Sequence, residues 1–159
     1  MKNSLLEMAM KNSISDVLET MFFLPMDFSD TVDAHELWNA GKDQILAVKL
    51  NFDGPLIGDC ILYIPEKLAK SITADFMGKE EEGVSDDQVK GTVKEIINMI
   101  VGNTFSRYDP EAAFNLGIPE LVSFSHYFNE LSYTGERFSF IIDTLENHLA
   151  FQLNLRDED

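Results

Sequence analysis

Cysteine is nearly missing from this chain. Cys60, inside CILYI, is the only one in 159 residues. That excludes an intrachain disulfide and every metal site built on several thiolates. A lone cysteine in an apolar run reads as a buried structural thiol. Long apolar runs are missing too. No window reaches the length of a membrane span. The opening MKNSLLEMAMKNSISDVLETMFF is broken by Lys, Glu and Asp where a secretory leader needs an uninterrupted apolar core. A soluble, cytoplasmic protein is expected. Basic residues are scarce, 12 against 28 acidic ones, for a formal net charge of −16. This balance argues against nucleic acid and anionic membrane as partners, since both select a basic footprint. Small molecules, metal-loaded partners and basic protein surfaces stay open. His35, His126 and His148 are scattered, and none has a metal-ligand partner at helical spacing. What the chain does have is 45% hydrophobic residues with twelve phenylalanines, enough for one packed core at this length. We expect a single domain over residues 1–159, with an acidic tail from about 156.

The pattern of elements is mixed. Residues 4–24 predict a first helix, with Leu6, Met10, Ile14, Val17, Leu18 and Met21 as its apolar stripe and Pro25 as its stop. Residues 26–43, which hold Trp38, read as loop with a short strand. ILAVKLNF (45–52) and GDCILYI (58–64) predict a hairpin around Asp53-Gly54. Pro65 opens a helix over 66–76, and KEEEG comes next as a solvated loop. Ser85 with Gln88 forms a capping-box pattern for a long second helix reaching about Phe105, and Asp86 and Asp87 suit its positive end. After Asp109-Pro110, the segments AAFNLGI, LVSFSHYF, RFSFIID and LAFQLNL read as strands or strand pieces. SDVLETMFFLPMDF and TVKEIINMIVGNTF share a rhythm, and both precede paired strands, which points to an internal two-fold repeat. One register sets Glu19 on Glu95 and Phe22 on Asn98. A shift by one residue sets Leu18 and Met21 there.

The chemistry concentrates on the second helix. Val93, Ile96, Ile97, Ile100, Val101 and Thr104 fill one arc of the helical wheel. Taking ~100° per residue from Glu95, Asn98 falls at about −60°, Gly102 at about −20°, Gly91 at about −40° and Met99 at about 40°. The outer face therefore offers one carboxylate and one carboxamide a turn apart, on a surface lowered by glycine at both ends and bordered by Met99. Interior glycine costs a helix up to ~1 kcal/mol, and asparagine is a mediocre helix former. A carboxamide both donates and accepts hydrogen bonds, so it can hold a water in a fixed direction. A carboxylate can pair with a lysine. The pair has no nucleophile beside a base, which leaves covalent serine or cysteine routes without support. It is also too small to own a metal. A partner that brings its own phosphoryl group, metal and lysine would need little more, because phosphoryl transfer is largely positioning and electrostatics. The bland alternative is an ordinary wet helix face, with the glycines relieving close packing.

Glu95-Ile96-Ile97-Asn98, the MIVGN after it, Pro119 downstream, and the segments ILAVKLNFDGPLIGDCILYIPEKLAKSI, GIPELVSFSHYF and RFSFIIDTLENHLAFQLNL resemble the CheC/CheX/FliY family of chemotaxis phosphatases, and its CheX branch most. The likeness spans nearly the whole chain. Gly91 stands where the family's longer signature has Asp or Ser, and the spacing to Pro119 is slightly short. The resemblance implies an α+β, CheC-like fold: a pseudo-repeat of two αβ units, with two long helices packed on a central, mainly antiparallel sheet. It implies hydrolysis of the aspartyl phosphate of a phosphorylated CheY-type response regulator. In that reading Asn98 orients the attacking water and Glu95 pairs with the regulator's lysine. Gly91, Met99 and Gly102 contact the partner. The chain needs no cofactor of its own, and Mg2+ sits on the regulator. It also implies a homodimer through sheet edges, with LAFQLNL or a neighbour as the edge. In the first helix Ser15 and Glu19 keep the opening spacing but Phe22 replaces Asn, so one site per chain is expected, since a phenyl ring cannot orient water. His126 and Tyr127 are expected in the sheet. The competing reading is a non-catalytic module that docks on a response regulator or a flagellar-switch-like partner. A protein with a small-ligand pocket between helix and sheet is a third.

Overall fold

The computed structural model describes residues 2–29, 44–123, 135–145 and 147–156. Helix α1 (Lys2–Asp16) continues into one π turn, Val17–Met21. Strand β1 (Asp27–Ser29) comes next. Strands β2 (Ile45–Asp53) and β3 (Gly58–Pro65) form the predicted hairpin and lead into helix α2 (Glu66–Met77). After a 3-10 turn at Glu81–Gly83, helix α3 runs from Asp86 to Tyr108. Strands β4 (Asn115–Leu116), β5 (Glu120–Val122), β6 (Glu136–Asp143) and β7 (His148–Leu155) complete the fold. Trp38, His35, His126 and Tyr127 lie outside the described residues, as does the tail beyond Arg156.

All pairs among the described strands are antiparallel and join in one sheet of order β1-β6-β7-β3-β2-β4, with β5 also on β2. This is the α+β architecture the resemblance implies, and its symmetry is visible in the connections. Each long helix precedes a hairpin: α1 comes before β2–β3, and α3 before β6–β7. The inner strands of the two hairpins, β3 and β7, pair in the middle. The short strand after each helix crosses to the other half, β1 onto β6 and β4 and β5 onto β2.

Period-two alternation sets which side chains enter the core. Val48, Leu50, Cys60, Leu62, Phe151 and Leu153 point to the side occupied by the helices and share one cluster with Leu6, Met10 and Ile14 of α1 and with Ile96, Ile97 and Ile100 of α3. Burying each such aliphatic side chain contributes roughly 1.5–3 kcal/mol. The opposite face carries a smaller cluster of Ala47, Ile61, Tyr63, Ile141 and Ala150. Gly58 is required at the centre. A Cβ there would sit 1.9 Å from the Asn154 carbonyl oxygen of β7.

Three expectations change. LAFQLNL is an interior strand, paired on both sides with β6 and β3, because nearly all its side chains are buried on the two faces. The sheet's edges are instead the short β1 and β4 with β5. AAFNLGI is mostly loop: Phe114 stacks on Phe105 of α3 at 4.1 Å and 8° between ring planes, and only Asn115 and Leu116 join the sheet. The first helix ends early and unevenly. The Phe22 N–H bonds the Val17 carbonyl five residues back, which widens the turn and rotates the next residues about the axis. Phe22 therefore takes the core place expected for Met21: Phe22 is 3% exposed and Met21 44%. The helix ends at Phe23 in the left-handed region (φ 54°), and the Leu24 N–H closes onto the Leu18 carbonyl.

Candidate active site on the second long helix

The start of α3 is fixed as its sequence requires. The Ser85 hydroxyl accepts from the Gln88 N–H, and the Gln88 side chain accepts from the Ser85 N–H. Asp86 and Asp87 occupy the first turn and Arg107 the last, each favourable to the helix dipole. Val93, Ile96, Ile97, Ile100, Val101 and Thr104 are all buried. Thr104 satisfies its hydroxyl on the Ile100 carbonyl at 2.7 Å. The buried arc matches the wheel, so α3 is held in one rotation about its axis.

That rotation turns Gly91, Glu95 and Asn98 outward. All three are exposed, Met99 and Gly102 are half-buried, and Met99 packs against the core's margin. Among the described residues, neither Glu95 nor Asn98 makes a hydrogen bond or ion pair. The two lie on successive turns, ~4.5 Å apart along the axis. Among the described residues, packing demands neither glycine. A Cβ at Gly91 would meet nothing within 4 Å, and one at Gly102 only Leu116 Cδ1 at 3.9 Å, an ordinary contact. Relief of internal crowding does not explain these glycines.

Beyond Gly102 the helix borders a groove of about 350 Å³, closed on its far side by Pro110, Ala113, Phe114 and Leu116. Sequence reasoning misses this wall. Its only signal is the aromatic in AAFNLGI, which the local pattern places on a strand.

Other chemistry is limited. Cys60 is fully buried. Burial, reinforced by the neighbouring Asp59 carboxylate, pushes its thiol well above the ordinary range, so it stays protonated. It is the structural thiol expected. Asp59 accepts from Asn154, which in turn accepts from Arg137, a polar row on the face away from the helices. Among the described residues, no group of three or more His, Cys, Asp or Glu side chains is placed to hold a metal, and no helix is long and apolar enough to cross a membrane.

The first half treats its equivalent region differently. Ser15 donates to Glu19 at 2.5 Å, and Phe22 lies in the core against Phe76, with ring centroids 4.9 Å apart.

The sequence model of the chemotaxis phosphatase CheX matches residues 46–142, more than half of the chain and including all of α3. The chain belongs to the CheX family. Solved structures agree on the fold. A chemotactic CheC-like protein from Shewanella oneidensis superposes with a TM-score of 0.74 at 18% identity, covering 97% of this chain and 99% of that one. The chemotaxis protein CheX from Vibrio vulnificus gives 0.72 at 17%, covering 95% and 96%. CheX of Borrelia burgdorferi, solved in a complex with CheY, BeF3 and Mg2+, gives 0.70 at 15%, covering 94% and 97%. A comparison with curated proteins finds no match.

Proposed function

We propose that this CheX-family chain, one domain over residues 1–159, hydrolyses the aspartyl phosphate of a phosphorylated CheY-type response regulator. Its site is the exposed face of α3. The observation that carries the reading is the state of Glu95 and Asn98. Both are exposed on a regular helix, and among the described residues both are unpaired and the glycines beside them meet no packing need. A docking module has no use for an unpaired carboxylate and carboxamide set in register. The solved complex of a structural relative with CheY and Mg2+ supports the partner class and the place of the metal.

An acyl phosphate is already activated, so the catalyst has to supply a water in line with the P–O bond and little else. The Asn98 carboxamide holds that water through one donor and one acceptor. Water oxygen bonds to phosphorus, and the bond from phosphorus to the aspartyl oxygen breaks. The regulator regains its carboxylate, while inorganic phosphate leaves with the water's proton. Glu95 binds the regulator's lysine and fixes the two proteins in register. Mg2+ stays on the regulator and neutralises charge there. Gly91, Met99 and Gly102 form the surrounding contact surface. A homodimer through the short sheet edges belongs to the same proposal, and light scattering at increasing concentration tests it; a persistent monomer would rule it out.

The reaction is tested by phosphate release from phosphorylated CheY-type regulators with Mg2+. Asn98→Ala is expected to lower the accelerated rate about 10²–10³-fold while regulator binding survives. Binding without acceleration of any regulator by the wild-type chain would leave the docking-module reading in its place.

A further inference from the structure

Phe23 has no internal reason to be a phenylalanine. It adopts a left-handed backbone conformation that glycine or asparagine takes at lower cost, and the residue is 80% exposed. The π turn before it is a second irregularity, of a kind found often at functional sites. Around it gather other bare apolar side chains. Phe22 touches Phe76, which brings the end of α1 to the end of α2. There Met21, Phe76 and Met77 are 44%, 52% and 40% exposed. Leu24, next in the chain, lines a groove of about 430 Å³ with Pro25, Leu68 and Leu145, between α2 and the turn joining β6 to β7. The rim is strongly acidic. Glu19, Asp75, Glu80, Glu81 and Glu82 are exposed and adjoin these residues in the chain, against Lys79 and Lys67, the latter lining the groove itself, so the surface is acidic by five to two.

We infer that this surface, built from the ends of α1 and α2 and distinct from the α3 face, docks an amphipathic helix of another protein whose apolar stripe is flanked by lysine and arginine. Apolar side chains of such a helix would meet Phe23 and Phe76 and fill the groove, the helix-in-groove mode. Its cations would face the carboxylate rim, which sets charge complementarity and speeds encounter. A second copy of this chain fits poorly, because a two-fold contact would set the acidic rim against itself. An anionic bilayer is repelled for the same reason.

The test uses a fluorescein-labelled amphipathic peptide of leucine and lysine, the matching leucine–glutamate peptide, and neutral phosphatidylcholine vesicles. Fluorescence anisotropy with the full chain should show binding of the lysine peptide only, weakening as salt is added. Phe23→Ser should weaken it roughly tenfold. So should the combined Glu80→Lys, Glu81→Lys and Glu82→Lys variant, whose changes lie in an exposed turn away from the core. Thermal melting checks both variants, and the loss of fold in one leaves the other decisive. Equal peptide binding by wild type and both folded variants would overturn the inference. So would equal binding of the glutamate peptide, a dimer abolished by Phe23→Ser, or vesicle binding that depends on Phe23. Phosphate release on α3 is read separately, so failure of either proposal leaves the other standing.

Discussion

The two halves of this molecule share a plan and differ at one turn of helix. Each has a long helix, a hairpin on the central sheet, and a short strand donated to the other half. In the second half the helix stays regular through Glu95 and Asn98, and both side chains face outward. In the first, the register that sets Glu19 on Glu95 places Phe22 on Asn98. There the helix widens, and Phe22 turns into the core against Phe76. A polar pair facing water needs a helix held in fixed rotation by a complete apolar arc, which α3 has. One wide turn adds a residue to the register and carries the next side chain about 100° around the axis. The same topological position thus serves packing in one half and faces solvent in the other.

The largest test of this contrast exchanges readouts. Phe22→Ala should cost about 3–5 kcal/mol of stability in urea unfolding, with phosphate release per folded molecule unchanged. Asn98→Ala should do the reverse, leaving stability within about 0.5 kcal/mol while activity falls as above. Similar stability losses from both would break the comparison. Phe23→Gly comes next. It removes the side chain that makes the left-handed conformation costly and should stabilise the fold by about 1 kcal/mol, seen as a higher melting midpoint. An unchanged or lower midpoint would mean Phe23 packs more than its exposure indicates. The smallest effect is Gly91→Ala. Open space surrounds the site, so alanine should stabilise α3 by up to ~1 kcal/mol while slowing phosphate release from the regulator. A gain in stability with no loss of activity would remove Gly91 from the contact surface.

Much of the fold is legible in the sequence where the signal is local. The capping box at Ser85 and Gln88, the buried arc of α3, the β2–β3 hairpin and the spans of β6 and β7 depend on residues close in sequence, and periodicity reports them directly. The outward placement of Glu95 and Asn98 comes from the same arc. The features that periodicity misses depend on distant partners. Met21 gives way to Phe22 because the widened turn packs against Phe76, more than fifty residues away. Phe114 leaves its expected strand for the ring of Phe105. LAFQLNL reads as an edge or an interior strand with equal ease until β3 and β6 are known to flank it. The groove beside Gly102 is invisible in the sequence because loop and helix form it jointly.

The exchanged short strands bear on how the chain folds. β1 is made with the first half but completes the second, and β4 and β5 do the opposite. Neither half can close its own sheet, and separating them would bare the central β3–β7 seam. Folding must therefore join residues far apart in sequence before either half becomes stable, which favours a slow, single cooperative event over stepwise assembly. Two identical half-chains hooked together in this way would close the same sheet with a true two-fold axis. The present chain reads as such a pair made continuous, free to let one copy of its helix specialise while the other keeps the fold.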